Sequence, residues 1–185
     1  MPVTINGTSG LVTATTFSGS SLSGIDTGKI LQVKQTVKTN TFSTNHQSQV
    51  DVTGLNVSIT PTSTSNKILV TYDLNLSLAN GSYQGSVFLL RDSTQIYLGD
   101  AEGNRRRVSN FVMTTNDGTG HMQYYPVHGE FLDSPATTNA ITYKIQVFGH
   151  NSSGNTLMVN RTTYNADNAE NLRTVSQITA KEVAA

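Results

Sequence analysis

The chain of 185 residues contains no cysteine, and only 13% of its residues are charged. The absence of cysteine excludes a disulfide-stapled scaffold and any zinc or iron–sulfur site that needs thiolate ligands. The shortage of charge argues against a mainly helical fold, because solvated helix faces rely on Glu and Lys. Basic and acidic residues balance at 12 each, so we predict no basic face and no nucleic-acid partner.

Long apolar runs are also lacking. The chain has no stretch of about 18 or more apolar residues, so we predict no membrane insertion. A secretory signal peptide would begin with positive charge followed by an apolar segment, and the first residues do not show this pattern. If the protein acts outside the cell, we expect it to leave by another route, such as lysis.

What the sequence does contain is a series of short runs with β-strand character. Apolar and polar side chains alternate strictly in residues 70–78, which is the period of a strand with one buried and one solvated face. Residues 140–148 alternate in the same way, and turn sequences such as 116–120 separate the runs. We therefore predict an all-β protein, with an antiparallel jelly-roll β-sandwich over residues 29–185.

Residues 1–28 differ from the rest of the chain, because Thr, Ser and Gly dominate and Asp26 is the only charged side chain. Apolar residues are too sparse in this segment to form a core. One interpretation is a flexible leader. The other is a short extended docking arm that adds its backbone to the sheet of a partner. For the arm, the predicted virion-docking residues are Val3, Ile5, Leu11, Val12, Phe17 and Leu22.

The order of several segments carries a family resemblance. These segments are residues 28–33, 58–70, 89–100, 131–138, 141–147, 159–161 and 178–183. Together with the Thr-, Ser- and Gly-rich leader, they resemble virion structural proteins of bacteriophages, of the kind described as tail fibre, head fibre or decoration proteins. The resemblance implies a place on the surface of the phage particle, assembly in the host cytoplasm, and other virion proteins, of the tail or the capsid, as partners.

A second resemblance concerns the central VFLLR sequence at residues 87–91, the hairpin that follows it and the last strand of the chain. This succession is similar to the trimeric jelly rolls of tumour-necrosis-factor-like and complement-type globular heads. It implies a homotrimer that buries aromatic side chains between subunits, which removes further apolar surface from water. The alternative is that each aromatic residue fills the interior of one sandwich. The candidate interface residues are Tyr72, Tyr124, Tyr125, Phe131 and Phe148.

No constellation of catalytic residues stands out in the sequence. The chain has no Gly-x-Ser-x-Gly elbow and no thiol nucleophile, so we predict that it is not an enzyme. Glu130 and Asp133 could form a glycosidase pair, although no aromatic cleft sequence surrounds them. A carbohydrate-modifying enzyme is therefore the alternative outside the structural class.

Metal ligands are equally sparse, and we predict no bound metal and no cofactor. His121 and His128 are seven residues apart, so they would share a strand face only if Pro126 introduced a bulge. Residues 100–104 and 165–171 offer oxygen ligands at some alternate positions, but neither loop has the full calcium pattern.

The only cluster of like charge is formed by three consecutive arginines. Arginines can clamp a phosphate or an acidic sugar, and they can also contact a neighbouring subunit. The alternative is that they form salt bridges with the acidic residues just before them. The residues are Arg105, Arg106 and Arg107.

These observations favour a surface-exposed, trimeric component of tail-fibre type. In this hypothesis, residues 1–28 dock on the virion, and polar side chains on exposed loops bind host surface glycans weakly but in three copies. The alternative is a capsid decoration or cement protein that stabilises the head shell. The short chain favours this alternative, because tail fibres usually carry a long shaft.

Overall fold

The computed structural model describes residues 29–45, 48–78, 84–113, 123–150 and 156–185. Within these ranges the chain forms eleven β-strands and no helix. The strands are β1 (Ile30–Lys38), β2 (Phe42–Thr44), β3 (Val50–Ile59), β4 (Lys67–Leu78), β5 (Gln84–Arg91), β6 (Thr94–Ile96), β7 (Asn110–Met113), β8 (Gln123–Asp133), β9 (Ile141–His150), β10 (Leu157–Val159) and β11 (Ser176–Val183). The predicted arm and its six docking residues lie outside the described ranges, so the arm stays a prediction.

The strands pair in two antiparallel sheets. In sheet A, β8 pairs with one edge of β4, whereas β11 and β10 share the other edge, with β1 beyond β11 and β2 beyond β10. In sheet B, the order is β3, β9 and β5, and β7 and β6 share the far edge of β5.

The connectivity is that of a jelly roll. Without the short strands β2, β6 and β10, eight strands remain in two layers of four. Numbered along the chain, sheet A then has the order first, eighth, third and sixth, and sheet B has the order second, seventh, fourth and fifth. Eight strands arranged in this way form two Greek keys. The predicted fold class is therefore confirmed.

Strand β4 shows how the alternating sequence produces the core. Val70, Tyr72, Leu74 and Leu76 point between the sheets and are at most 1% exposed, whereas the residues between them lie on the outer face. Strand β9 contributes the alternating apolar side chains of the opposite sheet. Each such side chain stabilises the fold by about 1.5–3 kcal/mol relative to an exposed position.

Pro126 lies in β8, which is an edge strand of sheet A. The pairing of β8 with β4 runs without a shift from the Ile68–Asp133 pair to the Leu78–Gln123 pair. The structure therefore places Pro126 at a sheet edge, without a bulge. A missing N–H group is tolerated there because no further strand of the described residues pairs with β8.

Strand β1 places apolar side chains on the outside of the sandwich. Ile30 and Val33 are 57% and 54% exposed, although both belong to a nine-residue strand. The pairing with β11 shifts between Ile30 and Gln32. Because a shift of one residue exchanges the two faces of a strand, Gln32 turns inward beside the buried Glu182, with which it shares a hydrogen bond of 2.6 Å.

The segment between β6 and β7 covers the outer face of sheet B. Phe88, Leu90 and Phe148 form a second apolar cluster there, separate from the main core, and Leu98 and Val108 pack against it. Sheet B is therefore buried on both faces at this point, which explains why β5 is an almost continuous apolar run.

Candidate functional site

Sheet A has two distinct ends. At the end that we call the arm end, Ile30 pairs with Val183 and Val183 with Lys67, and Ala184 N donates to Lys29 O at 3.0 Å. At the far end, Tyr124 pairs with Ser77. Since a strand rises by about 3.3 Å per residue, the course of β4 separates the two ends by roughly 30 Å.

Outward-facing apolar residues, three of them exposed and two half-buried, cluster at the arm end of sheet A. The register aligns Leu132, Leu69 and Val33 across the strands, with Lys181 between the last two, and Ile30 and Val183 form the neighbouring row. Leu132 is 46% exposed. We call these residues the outer patch: Ile30, Val33, Leu69, Leu132 and Val183.

A cavity of about 410 Å³ opens at the far end. Its wall combines β8 with the segment that connects β10 to β11. The cavity lies within the size range of small-ligand sites. The lining residues of this far-end cavity are Tyr124, Arg161, Thr162, Glu170, Leu172 and Thr174.

Hydrogen bonds hold the wall of the far-end cavity in place. The Tyr124 hydroxyl donates to Asn75 Oδ1, and Asn75 Nδ2 donates to the carbonyl of Val175. A single Asn side chain therefore joins the aromatic ring to the connecting segment. Arg161 and Arg173 form an isolated antiparallel bridge that closes the base of this segment.

The connecting segment also contains one of the loops that the sequence suggested for calcium. Asn168 Oδ1 accepts hydrogen bonds from the backbone N–H groups of Glu170 and Asn171, both at 3.2 Å. Its side chain thus caps a local turn, which is a common role of Asn in loops.

The electrostatics of the far-end cavity centre on Arg161. Partial burial, and then the nearby charge of Arg173, lower the pKa of Arg161. Among the described residues, no carboxylate lies within ion-pair distance of the Arg161 guanidinium. In the same part of the chain, Thr174 Oγ1 is buried and has no hydrogen-bond partner.

The predicted interface residues do not converge on one surface. Tyr72 lies in the core, where burial raises its pKa to about 12, and Phe148 lies under the segment that covers sheet B. Tyr125 and Phe131 are half-buried against the core. Tyr124 is the exposed member of the five, at 43%. For Tyr72 and Phe148, the structure matches the alternative in which the ring fills one subunit.

The three consecutive arginines each have a partner within the chain. The Arg106 guanidinium lies over the Phe148 ring, 4.0 Å from its centroid, and Arg107 Nε donates to Gly99 O at 2.6 Å. Arg105 lies 3.5 Å from the Glu102 carboxylate, with both side chains exposed. The Arg106 contact attaches the covering segment to sheet B, and the other two contacts lie within the segment. Ligand or subunit binding by the arginines stays a prediction.

The carboxylates considered as a glycosidase pair lie on opposite faces of β8. Glu130 pairs with Thr71 on the outer face, whereas Asp133 points into the sandwich. Arg91 Nη1 donates to both oxygens of Asp133, at 2.9 and 2.8 Å, and the Tyr143 hydroxyl donates to it at 2.7 Å. Asp133 therefore acts as a buried structural ion-pair partner.

His128 contacts Asp73 on the outer face of sheet A, with Nδ1 and Oδ1 2.5 Å apart. A hydrogen bond from Gln177, followed by that from His128, lowers the pKa of Asp73. Over the residues that the structure describes, no group of three or more metal-ligating side chains comes together. His121, the other member of the suggested histidine pair, lies outside them.

Sequence reasoning missed most of the far-end cavity. From the sequence, Tyr124 is a candidate interface residue, Glu170 belongs only to the 165–171 loop and Arg161 only to the 159–161 segment, and nothing marks Leu172 or Thr174. Their approach depends on the pairing of β8, β4 and β10, which no local pattern encodes. The sequence offers one signal for this site: Arg161 and Arg173 flank residues 162–172, and no periodic pattern runs through that stretch.

Comparison with known proteins gives structural similarity only. No family model and no curated protein matches the chain. Among solved structures, the chain is similar to those of infectious bursal disease virus strains Gt (TM-score 0.45, 13% identity) and Gx (TM-score 0.43, 14% identity). It is also similar to a mutant VP2 protein of that virus in T=1 particles (TM-score 0.45, 12% identity). The alignments cover 93–94% of this chain but only 42–43% of those chains, and similarity at this level supports no functional argument.

Within the described ranges, no helix has the length and apolar character needed to cross a bilayer.

Proposed function

We propose that this chain is a non-catalytic structural protein of a phage virion, of tail-fibre type, which attaches the particle to its host. One observation carries the proposal: the two ends of the sandwich differ from each other. Residues 1–28 join the sandwich at the arm end, beside the outer patch, and the far-end cavity opens about 30 Å away. A molecule that is anchored at one end and binds at the other needs this arrangement.

The outer patch supports assembly into a homotrimer. Ile30, Val33 and Leu132 are about half-exposed side chains on one sheet face, and adjacent exposed apolar residues mark interaction surfaces. Covering each of them with a neighbouring subunit would contribute about 1 kcal/mol or more. The proposed interface therefore moves from the five aromatic residues to β1 and the facing ends of β4, β8 and β11.

The arm end is the natural site of attachment to other virion proteins. Residues 1–28 lead directly into β1, which is an edge strand within the described part of sheet A. Docking through Val3, Ile5, Leu11, Val12, Phe17 and Leu22 would hold this end on the particle. The far end would then face outward, towards host surface glycans.

The oligomeric state provides a direct test. We expect the full chain to have three times the mass of one chain by light scattering. Val33→Asp should lower this mass, because it places a charge in the outer patch, whereas Phe111→Asp should not. Phe111 is a matched control, since it is 62% exposed on the opposite sheet. A monomeric full chain would contradict the proposed trimer.

The place on the particle separates the two virion roles. Gold-labelled antibody against the chain should mark the tails of phage particles, and a variant without residues 1–28 should not be incorporated. Label distributed over the head would instead support the alternative, a decoration or cement protein. Particles without label would contradict a virion role altogether.

A further inference from the structure

We propose that the far-end cavity is a binding site for one neutral sugar unit, with Tyr124 as the platform for the sugar ring. The inference rests on the proposed attachment function and assigns it to specific residues. It follows from the size of the cavity and from the residues that line it.

The apolar part of the wall suits the C–H face of a pyranose. Tyr124 and Leu172 are 43% and 59% exposed, and both line the cavity. An aromatic ring provides a large, rigid contact area at a low cost in conformational entropy. Asn75 holds the Tyr124 hydroxyl and the connecting segment together, so the platform is formed before a ligand arrives, which favours binding.

The lining of the cavity is mainly apolar, and its two charged members, Arg161 and Glu170, offer polar contacts to hydroxyl groups. Each sugar hydroxyl can both donate and accept, so a guanidinium donor and a carboxylate acceptor both suit it. Because Arg161 and Glu170 carry opposite charges, the lining as a whole favours a neutral sugar over an acidic one.

The same groups argue against a side chain of a second copy as the occupant. Packing of an apolar side chain into the far-end cavity would cover Arg161, which has no carboxylate within ion-pair distance in the described structure. An unpaired charge that loses its water is strongly unfavourable. The outer patch, at the other end of sheet A, is apolar except for Lys181, which lies within one of its rows, and Lys67, which pairs with Val183 in the other.

The expected affinity for one sugar is weak. A single pyranose has few atoms, and the binding free energy per atom limits the dissociation constant of such ligands to about the millimolar range. Three cavities in a trimer would raise the strength of attachment through multivalency, without any new contact. A site of this kind binds a glycan-rich surface firmly and a free monosaccharide poorly.

The test titrates the full-length protein with the methyl glycosides of glucose, galactose, mannose and N-acetylglucosamine. Backbone amide NMR signals report where each probe binds. We expect at least one probe to shift signals of residues 124, 161, 170, 172 and 174 in a saturable manner. Tyr124→Ala should weaken binding at least tenfold, and Arg161→Gln similarly, whereas Tyr124→Phe keeps the ring and should weaken it less than threefold.

Phe111→Ala is the matched control, because it removes an exposed aromatic ring from the opposite sheet. Leu172→Ser is a second cavity variant, whose exposed position makes unfolding unexpected. The proposal is overturned if no probe shifts these signals, or if the shifts persist in Tyr124→Ala and Leu172→Ser. It is also overturned if Tyr124→Ala lowers the oligomeric mass, since the cavity would then accommodate a second copy. Particle labelling and the mass of the full chain are independent of these results, so the proposed function can stand when the sugar site fails.

Discussion

Replacement of Gly129 by Ala should destabilise the sandwich, because a Tyr72 ring occupies the space that the new methyl group needs. A Cβ atom at position 129 would lie 2.3 Å from Tyr72 Cζ and 2.4 Å from its Cε1 and Oη atoms. Carbon atoms in contact normally lie about 3.5–4.0 Å apart. The Tyr72 ring would therefore have to move by more than about 1 Å, which is the difference between these two sets of distances.

The Tyr72 ring has no free space into which it could move. Tyr72 is 1% exposed, and its hydroxyl accepts a hydrogen bond of 3.0 Å from Asn110 Nδ2, which also donates to His128 O at 2.8 Å. Overpacking of a core typically costs about 1–3 kcal/mol, and loss of this hydrogen bond adds about 1 kcal/mol. We therefore expect Gly129→Ala to lower the free energy of unfolding by about 3 kcal/mol.

Urea denaturation at one fixed protein concentration measures this change, since the stability of an oligomer depends on concentration. Gly99→Ala is the control: no heavy atom lies within 4 Å of a Cβ there, so the loss should stay below about 0.5 kcal/mol. In a Tyr72→Ala background, Gly129→Ala should cost at least about 2 kcal/mol less than in the wild type. A loss below about 1 kcal/mol, or additive effects of the two substitutions, would refute the reasoning.

Two further predictions concern buried polar groups. Burial raises the pKa of Glu182, but hydrogen bonds from Gln32, Asn66 and Thr62 outweigh it and lower the pKa to about 2. Because this pKa lies below that of the unfolded chain, Glu182 contributes stability above about pH 5 that is lost as the pH falls towards 2. Glu182→Gln should therefore flatten the fall in melting temperature over that pH range. An unchanged slope would contradict this. Asn160→Ala should cost about 3 kcal/mol in urea denaturation, because the buried side chain bonds Lys38 O at 2.7 Å and Ser176 Oγ at 2.6 Å. Asn160 has φ 61°, so Asn160→Gly should cost about 1 kcal/mol less than the Ala variant, and equal losses would show that the backbone conformation carries no strain.

The sequence was sufficient for the fold class, because residues 70–78 of β4 and 141–147 of β9 carry a period of two. It was insufficient for β1, whose apolar residues look like core positions. The bulge between Ile30 and Gln32 decides which face they take, and it depends on pairing with β11 at the other end of the chain.

The candidate site was harder to predict for the same reason. Phe148 alternates like an exposed position of β9, and it is buried only because Leu98, Val108 and Arg106 reach over it from a distant segment. Tyr124 and Leu172 are far apart in the sequence but line one cavity, and Asn75 holds its wall by hydrogen bonds to Tyr124 and Val175. Contacts of this kind follow from tertiary pairing, which periodicity alone does not report.

The hydrogen bond between Lys29 and Ala184 has a practical consequence for protein engineering. It places the first and last residues of the sandwich side by side, so a fluorescent fusion partner added after residue 185 would emerge next to the proposed docking arm and crowd it. A cargo intended for display should instead be inserted in the exposed 164–168 stretch, beside the opposite end. A short linker from residue 185 to residue 29 would likewise permit a circular permutant.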